Sequence, residues 1–409
     1  MRYYREGGYT LCSREKLPLQ EADGLPQEGE VIFLLRRGLL AGRETFPVTD
    51  PALLTEQEGV QTLCTGKSEE DIPAELEAAI RAGRVRAVNM GHPRWRELLK
   101  LPARKEKYRV NLLALGDVGS TLLLGLRLMG GDVISSIGIC DLREGVAARW
   151  EFELNQINYP TEYDRLPQVE VIGPEELFDG DVFLFCASRF VPDTKVKSGD
   201  VRMAQYELNR ELAALYARKA REKHYDGLFC VVSDPVDPLC RAVLLESNRN
   251  DAGELDGQGL FPHQVRGFGL GVMNARAAYY ARKEAKFASF LTEGRTFGPH
   301  GEDLVVANSI AHYDDALSRE LTDRTAHANL EMRRLGFKPY VAPALSSGAL
   351  SLLLCLRGQW HCSSTYLDGI FMGARNRMLP TGTELERLPL PEALRLRIEE
   401  TARRLRAIN

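Results

Sequence analysis

The 409-residue chain has no CxxC pair, no metal-type cluster of cysteine and histidine, and no large excess of charge of either sign. Each absence excludes a class. Fifty-three basic against fifty-seven acidic side chains leave a net charge of −4, which argues against general nucleic-acid binding. Cys186, Cys230 and Cys355 lie in apolar runs, as reduced core thiols do, so a disulfide-free, zinc-free cytoplasmic protein is expected. His361 and Cys362 are adjacent on a strand-like segment and point to opposite faces, so they make no metal site. The apolar run 342–356 holds Ser and Gly and is short for a bilayer, and the first sixteen residues lack the apolar core of a signal peptide. No membrane partner is expected.

What is present reads as an α/β protein of two or three domains. Residues 1–107 form an N-terminal α/β extension of open role, with a strand within 30–38 and a helix over 71–85 capped by Asp71 and stopped by Gly83. From 108 to 240 strands and helices alternate: 109–115, 132–141, 168–173, 181–188 and the start of 227–237 are apolar or alternating strands. Such alternation implies parallel βαβ units in a Rossmann-type doubly wound sheet, with its ligand site at the carboxyl ends of the strands. Residues 241–409 read as an α+β second domain with helices over 273–291, 311–335 and 391–408.

The first strand runs into Ala114-Leu115-Gly116-Asp117-Val118-Gly119 and then a helix. Glycine lets phosphates approach the backbone, and a helix N-terminus offers unpaired N–H groups. Asp141, at the end of the second strand, is placed to hold a ribose hydroxyl pair and to disfavour a 2′-phosphate, which points to NAD. Ala114 replaces the first glycine of G-x-G-x-x-G, and Asp117 brings a negative charge to the turn.

From about residue 108 to the end the chain resembles the NAD-dependent lactate/malate dehydrogenase family. ALGDVGS resembles its GxGxVG turn, LFCASR the strand end before its mobile loop, and VVSDPVD its V-[ST]-N-P-V-D segment. GVMNARAAYY resembles its D-x-x-R helix, FGPHGEDLVV its G-x-H-G segment, and Arg202 with Asn209 its loop arginine and helix asparagine. The resemblance implies NAD contacts from Gly116, Asp117, Val118, Gly119, Asp141, Ala187 and Ser233. It implies His300 as acid/base, Arg276 as substrate-carboxylate clamp and Arg202 as polariser of the reacting carbonyl. Those residue types suit the chemistry, since imidazole titrates near neutrality and guanidinium grips a carboxylate through two N–H groups. A small 2-hydroxy or 2-oxo acid is the implied partner, in a homodimer or homotetramer.

Three departures stand out. Met273 occupies the position of the family's His-orienting Asp, Asp234 that of its Asn, and the segment from Ala187 to Arg202 is longer than its usual loop. One acid has vanished and another has appeared, so Asp234 is expected to reach His300 as a substitute catalytic carboxylate. Lys338 is read first as an exposed lysine, with a second cation for a dicarboxylate substrate as the other reading. The alternative is a catalytically diverged dinucleotide-binding sensor or scaffold.

Overall fold

The computed structural model describes the chain except residues 56, 67–71, 104, 190–198 and 409, and the side chains of 199–204. The first hundred residues build a six-stranded mixed sheet in the order 20–22, 2–6, 9–13, 31–35, 85–89, 45–47. Its centre is Val31–Leu35, buried throughout and parallel to both neighbours, as a VIFLL run demands when both sheet faces are covered. The crossover to Val85–Asn89 includes the helix Ala74–Arg81, which starts after Pro73; the expected cap, Asp71, lies outside the described residues. The chain reverses after this helix at Gly83, whose φ of +67° lies in the left-handed region that glycine adopts freely.

The second sheet has nine strands. Six are parallel, in spatial order 265–267, 228–231, 182–185, 108–113, 134–140, 168–171. That is the doubly wound order, reversing direction beside Tyr108–Leu113, and the crevice at this reversal is where such sheets bind ligands. The antiparallel strands His361–Leu367, Ile370–Leu379 and Gly382–Leu385 continue the same sheet, joined through Gly267 and Ser364. Thus the antiparallel strands and the parallel portion share one hydrogen-bonded platform. The helix expected over 273–291 spans Leu270–Lys283, because the chain leaves helical geometry at Glu284 and turns Phe287 and Phe290 into the core. Helices Asp315–Arg334 and Glu392–Ala407 match their apolar patterns, the first capped by the Asp314 carboxylate.

The first domain is docked onto the antiparallel strands. Glu58 lies at the seam, accepting from Arg43 Nε at 2.5 Å, Arg43 N at 2.9 Å and Arg37 Nη1 at 3.3 Å, with all three side chains almost wholly buried. Arg43 Nη1 also donates to Thr383 O at 3.1 Å, Thr45 Oγ1 donates to Thr381 O at 3.2 Å, and residues 63–65 pair with Leu388 through two main-chain bonds of 2.8 Å. Gly382 has φ +104°, and a β-carbon there would stand 2.1 Å from Thr45 O, so the seam closes where no side chain intervenes. No described helix is long and apolar enough to cross a membrane, and no described group of three metal-binding side chains is clustered.

Candidate active site

The dinucleotide-type turn follows strand Tyr108–Leu113. Ala114 sits at φ +75°, the left-handed conformation that the family's glycine adopts without strain. A β-carbon on Gly119 would lie 2.0 Å from Ala114 O, whereas one on Gly116 would meet nothing within 4 Å. The helix Asp117–Met129 is therefore pressed against the strand end at Gly119, while Gly116 leaves open space before its N-terminus. Those features fit a pyrophosphate held by main-chain N–H groups. Asp141 accepts from Leu115 N at 2.8 Å and Arg143 N at 2.9 Å, one bond per carboxylate oxygen, which fixes the turn and leaves lone pairs for a ribose diol. Val118 is half-buried, Ser233 is buried, and Ala187 packs against the core under the crevice.

Lys338 is exposed, as the plainer reading of the sequence has it. Its Nζ lies 2.9 Å from Asp117 Oδ2 beside the turn, an exposed pair that raises the lysine's pKa through the hydrogen bond and the carboxylate's charge. The ion pair offsets the negative charge that Asp117 brings to the phosphate end.

His300 stands in a loop between the short antiparallel strands Arg295–Phe297 and Val305–Ala307, flanked by Gly298 at φ +89° and Gly301 at φ +118°. Its Nδ1 is 3.1 Å from Gly269 O. A β-carbon on Gly269 would be 2.9 Å from the His300 β-carbon and 3.0 Å from Val236 Cγ2, so the imidazole approaches because residue 269 is glycine. Ser347 Oγ donates to the same carbonyl at 2.7 Å and accepts from Val272 N at 2.8 Å. No described residue hydrogen-bonds His300 Nε2.

The expected contact between Asp234 and His300 is not formed. Gly269 O occupies the Nδ1 side, and the exposed Asp234 carboxylate instead exerts its charge on Arg276 and on Asp237. Arg276 projects from helix Leu270–Lys283, half-buried, with Nη1 3.7 Å from Met273 Sδ. Burial lowers its pKa, and Asp234 is among the groups that oppose this. A guanidinium contacting a thioether in place of a carboxylate keeps its charge available for a ligand.

Asp237, Gly269 and Ser347 belong to the His300 environment although their spacing gave no sign of it. Asp237 lies in the first turn of helix Val236–Ser247, fully enclosed, accepting from Ser364 Oγ at 2.6 Å and His300 N at 3.4 Å. Burial pushes its carboxyl up to about 7, aided by the charge of Asp234. The readable signal was weak: Asp237 ends the VVSDPVD segment, but nothing there names its partner. Asn209 is buried and donates to Asp234 O at 2.8 Å while accepting from Arg189 N at 2.9 Å, tying two strand ends together. Arg202 falls in helix Gly199–Glu222, but its side chain lies outside the described residues.

Known proteins share this fold. No family model matches the chain. An L-lactate dehydrogenase of Staphylococcus haemolyticus is 24% identical over 259 residues, 61% of this chain and 74% of that protein. A probable malate dehydrogenase of Campylobacter jejuni is 24% identical over 286 residues, covering 66% and 87%. Among solved structures, a minor L-lactate dehydrogenase from Enterococcus mundtii superposes with a TM-score of 0.59 at 18% identity, covering 74% of this chain and 98% of its own. A malate dehydrogenase from Archaeoglobus fulgidus in complex with NADH gives 0.57 at 17% identity, with 73% and 98% covered. About a quarter of this chain thus has no counterpart in those structures. The chain is similar to lactate and malate dehydrogenases in sequence, at about a quarter identity, and shares their fold.

Proposed function

We propose that the protein is an NAD-dependent oxidoreductase that moves a hydride between the nicotinamide cofactor and a small 2-hydroxy or 2-oxo acid. One observation carries the reading. His300, with Nδ1 tied to Gly269 O and Nε2 unengaged among the described residues, shares the carboxyl end of the sheet with Arg276, the Gly116–Gly119 turn and Asp141.

The chain's own groups divide the work as follows. Arg276 grips the substrate carboxylate through its planar fork. His300, protonated on Nδ1 toward Gly269, exchanges a proton at Nε2 with the substrate oxygen. Arg202 polarises that oxygen from helix Gly199–Glu222, and Asp234 tunes the charge around Arg276. Gly116, Val118, Gly119, Asp141, Ala187 and Ser233 hold the dinucleotide, which when bound accepts or supplies the hydride; Asp117 stays paired with Lys338. A carbonyl on Nδ1 fixes the tautomer and ring orientation as a carboxylate does, but adds no full negative charge to steady the imidazolium.

Residues 1–107, 108–240 and 241–409 then serve as docked extension, dinucleotide domain and catalytic domain, in a cytoplasmic homodimer or homotetramer. Phe152, Leu335 and Phe337, each 69% exposed, support self-association; light scattering at the mass of one chain removes that part.

The deciding assay follows NADH oxidation at 340 nm with a panel of 2-oxo acids, for wild type and His300→Asn. Turnover in the wild type, reduced about 10²–10⁴-fold in the variant, supports the reading. NADH binding without turnover on any acid overturns it in favour of a diverged dinucleotide sensor.

A further inference from the structure

We propose a second ligand site, at the opposite end of the sheet: the cavity between the first domain and the amino ends of the parallel strands takes the carboxylate of a small organic acid, held by Arg266 and His263. The cavity has a volume of about 1680 Å³ and is walled by Arg86 and Arg94 of the first domain, by Tyr108 and Leu228 at the strand starts, and by His263 and Arg266.

Arg266 is the anomaly in this wall. Arg86, Arg94, Arg218, Arg221, Arg249 and Arg357 also line the cavity, and each has a carboxylate within 2.6–3.4 Å. Arg266 is 1% exposed and has no described acidic partner. Its two Nη atoms donate to neutral groups, Asn376 Oδ1 at 3.0 Å and Thr383 Oγ1 at 2.6 Å, and its buried Nε–H donates to nothing. The imidazoles of His263 and His361 nearby are held neutral, first by burial and then by the Arg266 charge, so neither supplies compensation. A buried guanidinium without an anion is a costly arrangement that an incoming anion relieves.

His263 Nδ1 is likewise buried and without a partner. Its ring stacks on Phe261 at 5.5 Å, and the Arg94 guanidinium lies 4.5 Å from the same phenyl ring, so first-domain and sheet residues meet at this point. Arg266 Nε and His263 Nδ1 are thus two buried polar atoms of this wall without a partner, and a carboxylate can accept from both once His263 carries its proton on Nδ1. The buried, uncompensated charge of Arg266 matches a monoanion; a phosphate dianion on it would leave one negative charge buried. The volume leaves ample room for the organic body. The site also has a direct line to the carboxyl end, since strand Val265–Gly267 carries Arg266 and leads to Gly269, whose carbonyl holds His300.

The test is calorimetric titration of the full chain carrying Arg276→Gln, which removes the other carboxylate clamp, with sodium butyrate at constant ionic strength. Inorganic phosphate serves as the contrasting probe. The expected result is one saturable butyrate site, weakened about tenfold or more when Arg266→Gln is added and less strongly by His263→Phe. If the Arg266 variant fails to fold, the His263→Phe comparison decides in the same sense. Absence of saturable butyrate binding, binding indifferent to both substitutions, or Arg266-dependent binding of phosphate in preference to butyrate each overturns the proposal. Neither cofactor nor turnover enters the measurement, so its outcome is separate from that of the dehydrogenase assay.

Discussion

The seam that docks the first domain and the crevice around His300 treat charge in opposite ways. At the seam Glu58 is matched by Arg37 and Arg43 in full burial, and these side chains bridge toward Thr383. In the crevice Arg276 touches a methionine sulfur and His300 leans on a main-chain carbonyl. A matched buried cluster fixes one geometry, because losing any member strands the others in a low dielectric. A half-buried cation and an imidazole with a free nitrogen hold interactions in reserve for a ligand. The contrast separates a region whose charges are all matched from one that keeps polar groups available for a ligand.

The sharpest way to break the contrast is Glu58→Gln. It leaves two buried guanidinium groups uncompensated and is expected to cost about 3–5 kcal/mol in denaturant unfolding, with substrate KM unchanged in the folded fraction. A loss under about 1 kcal/mol means the seam holds no such cluster.

Gly269→Ala probes the crevice side. The added methyl meets the His300 and Val236 side chains at about 3 Å, so His300 must shift. Overpacking of this kind costs about 1–3 kcal/mol, and kcat should fall by more than tenfold while KM for the oxo acid stays near wild type. Equal kcat in the two proteins removes Gly269 from the positioning of His300.

The neutral histidines predict where stability fails with acid. Burial pushes His92 to about 4, His263 to about 4 and His361 to about 3. The unfolded chain therefore takes up protons at these sites below about 6.5, before the folded chain does. Stability should be fully present above that pH and decline as pH falls toward 3–4. Asp237 runs the other way: its carboxyl, at about 7, favours the folded state as pH drops from 7 toward 4. Unfolding measured across pH 4–8 should thus show a shallower acid loss in wild type than in Asp237→Asn, and parallel curves contradict this. The smallest effect is expected from Ala114→Gly, which relieves a left-handed alanine and should raise stability by about 0.5–1 kcal/mol, readable as a shift in Tm.

Much of the platform was legible. Apolar runs at strand length, alternating with helical patterns, located five of the six parallel strands to within a few residues, because each segment's burial is written in its own composition; the three-residue strand Val265–Gly267 was too short to read. The turn and Asp141 were legible for the same local reason. Met273 announced that His300 lacked its usual carboxylate, yet the expectation that Asp234 fills that place failed. What fills it is a carbonyl, which every residue possesses and no sequence pattern marks. Lys338 is the exposed lysine that its sequence context favoured, but its partner, Asp117, lies 221 positions away in the chain and could not be read there.

The sequence by itself determined the alternating α/β order, the dinucleotide-type turn and the identities of the ionisable groups, since these depend on local propensity and hydrophobic period. Only the tertiary structure decided which charges were paired. It brought Glu58 to two arginines, the Gly269 carbonyl to His300 and Arg266 to a cavity wall without an anion. Electrostatic and hydrogen-bond energies depend on distance and burial, and neither quantity exists until distant segments have packed.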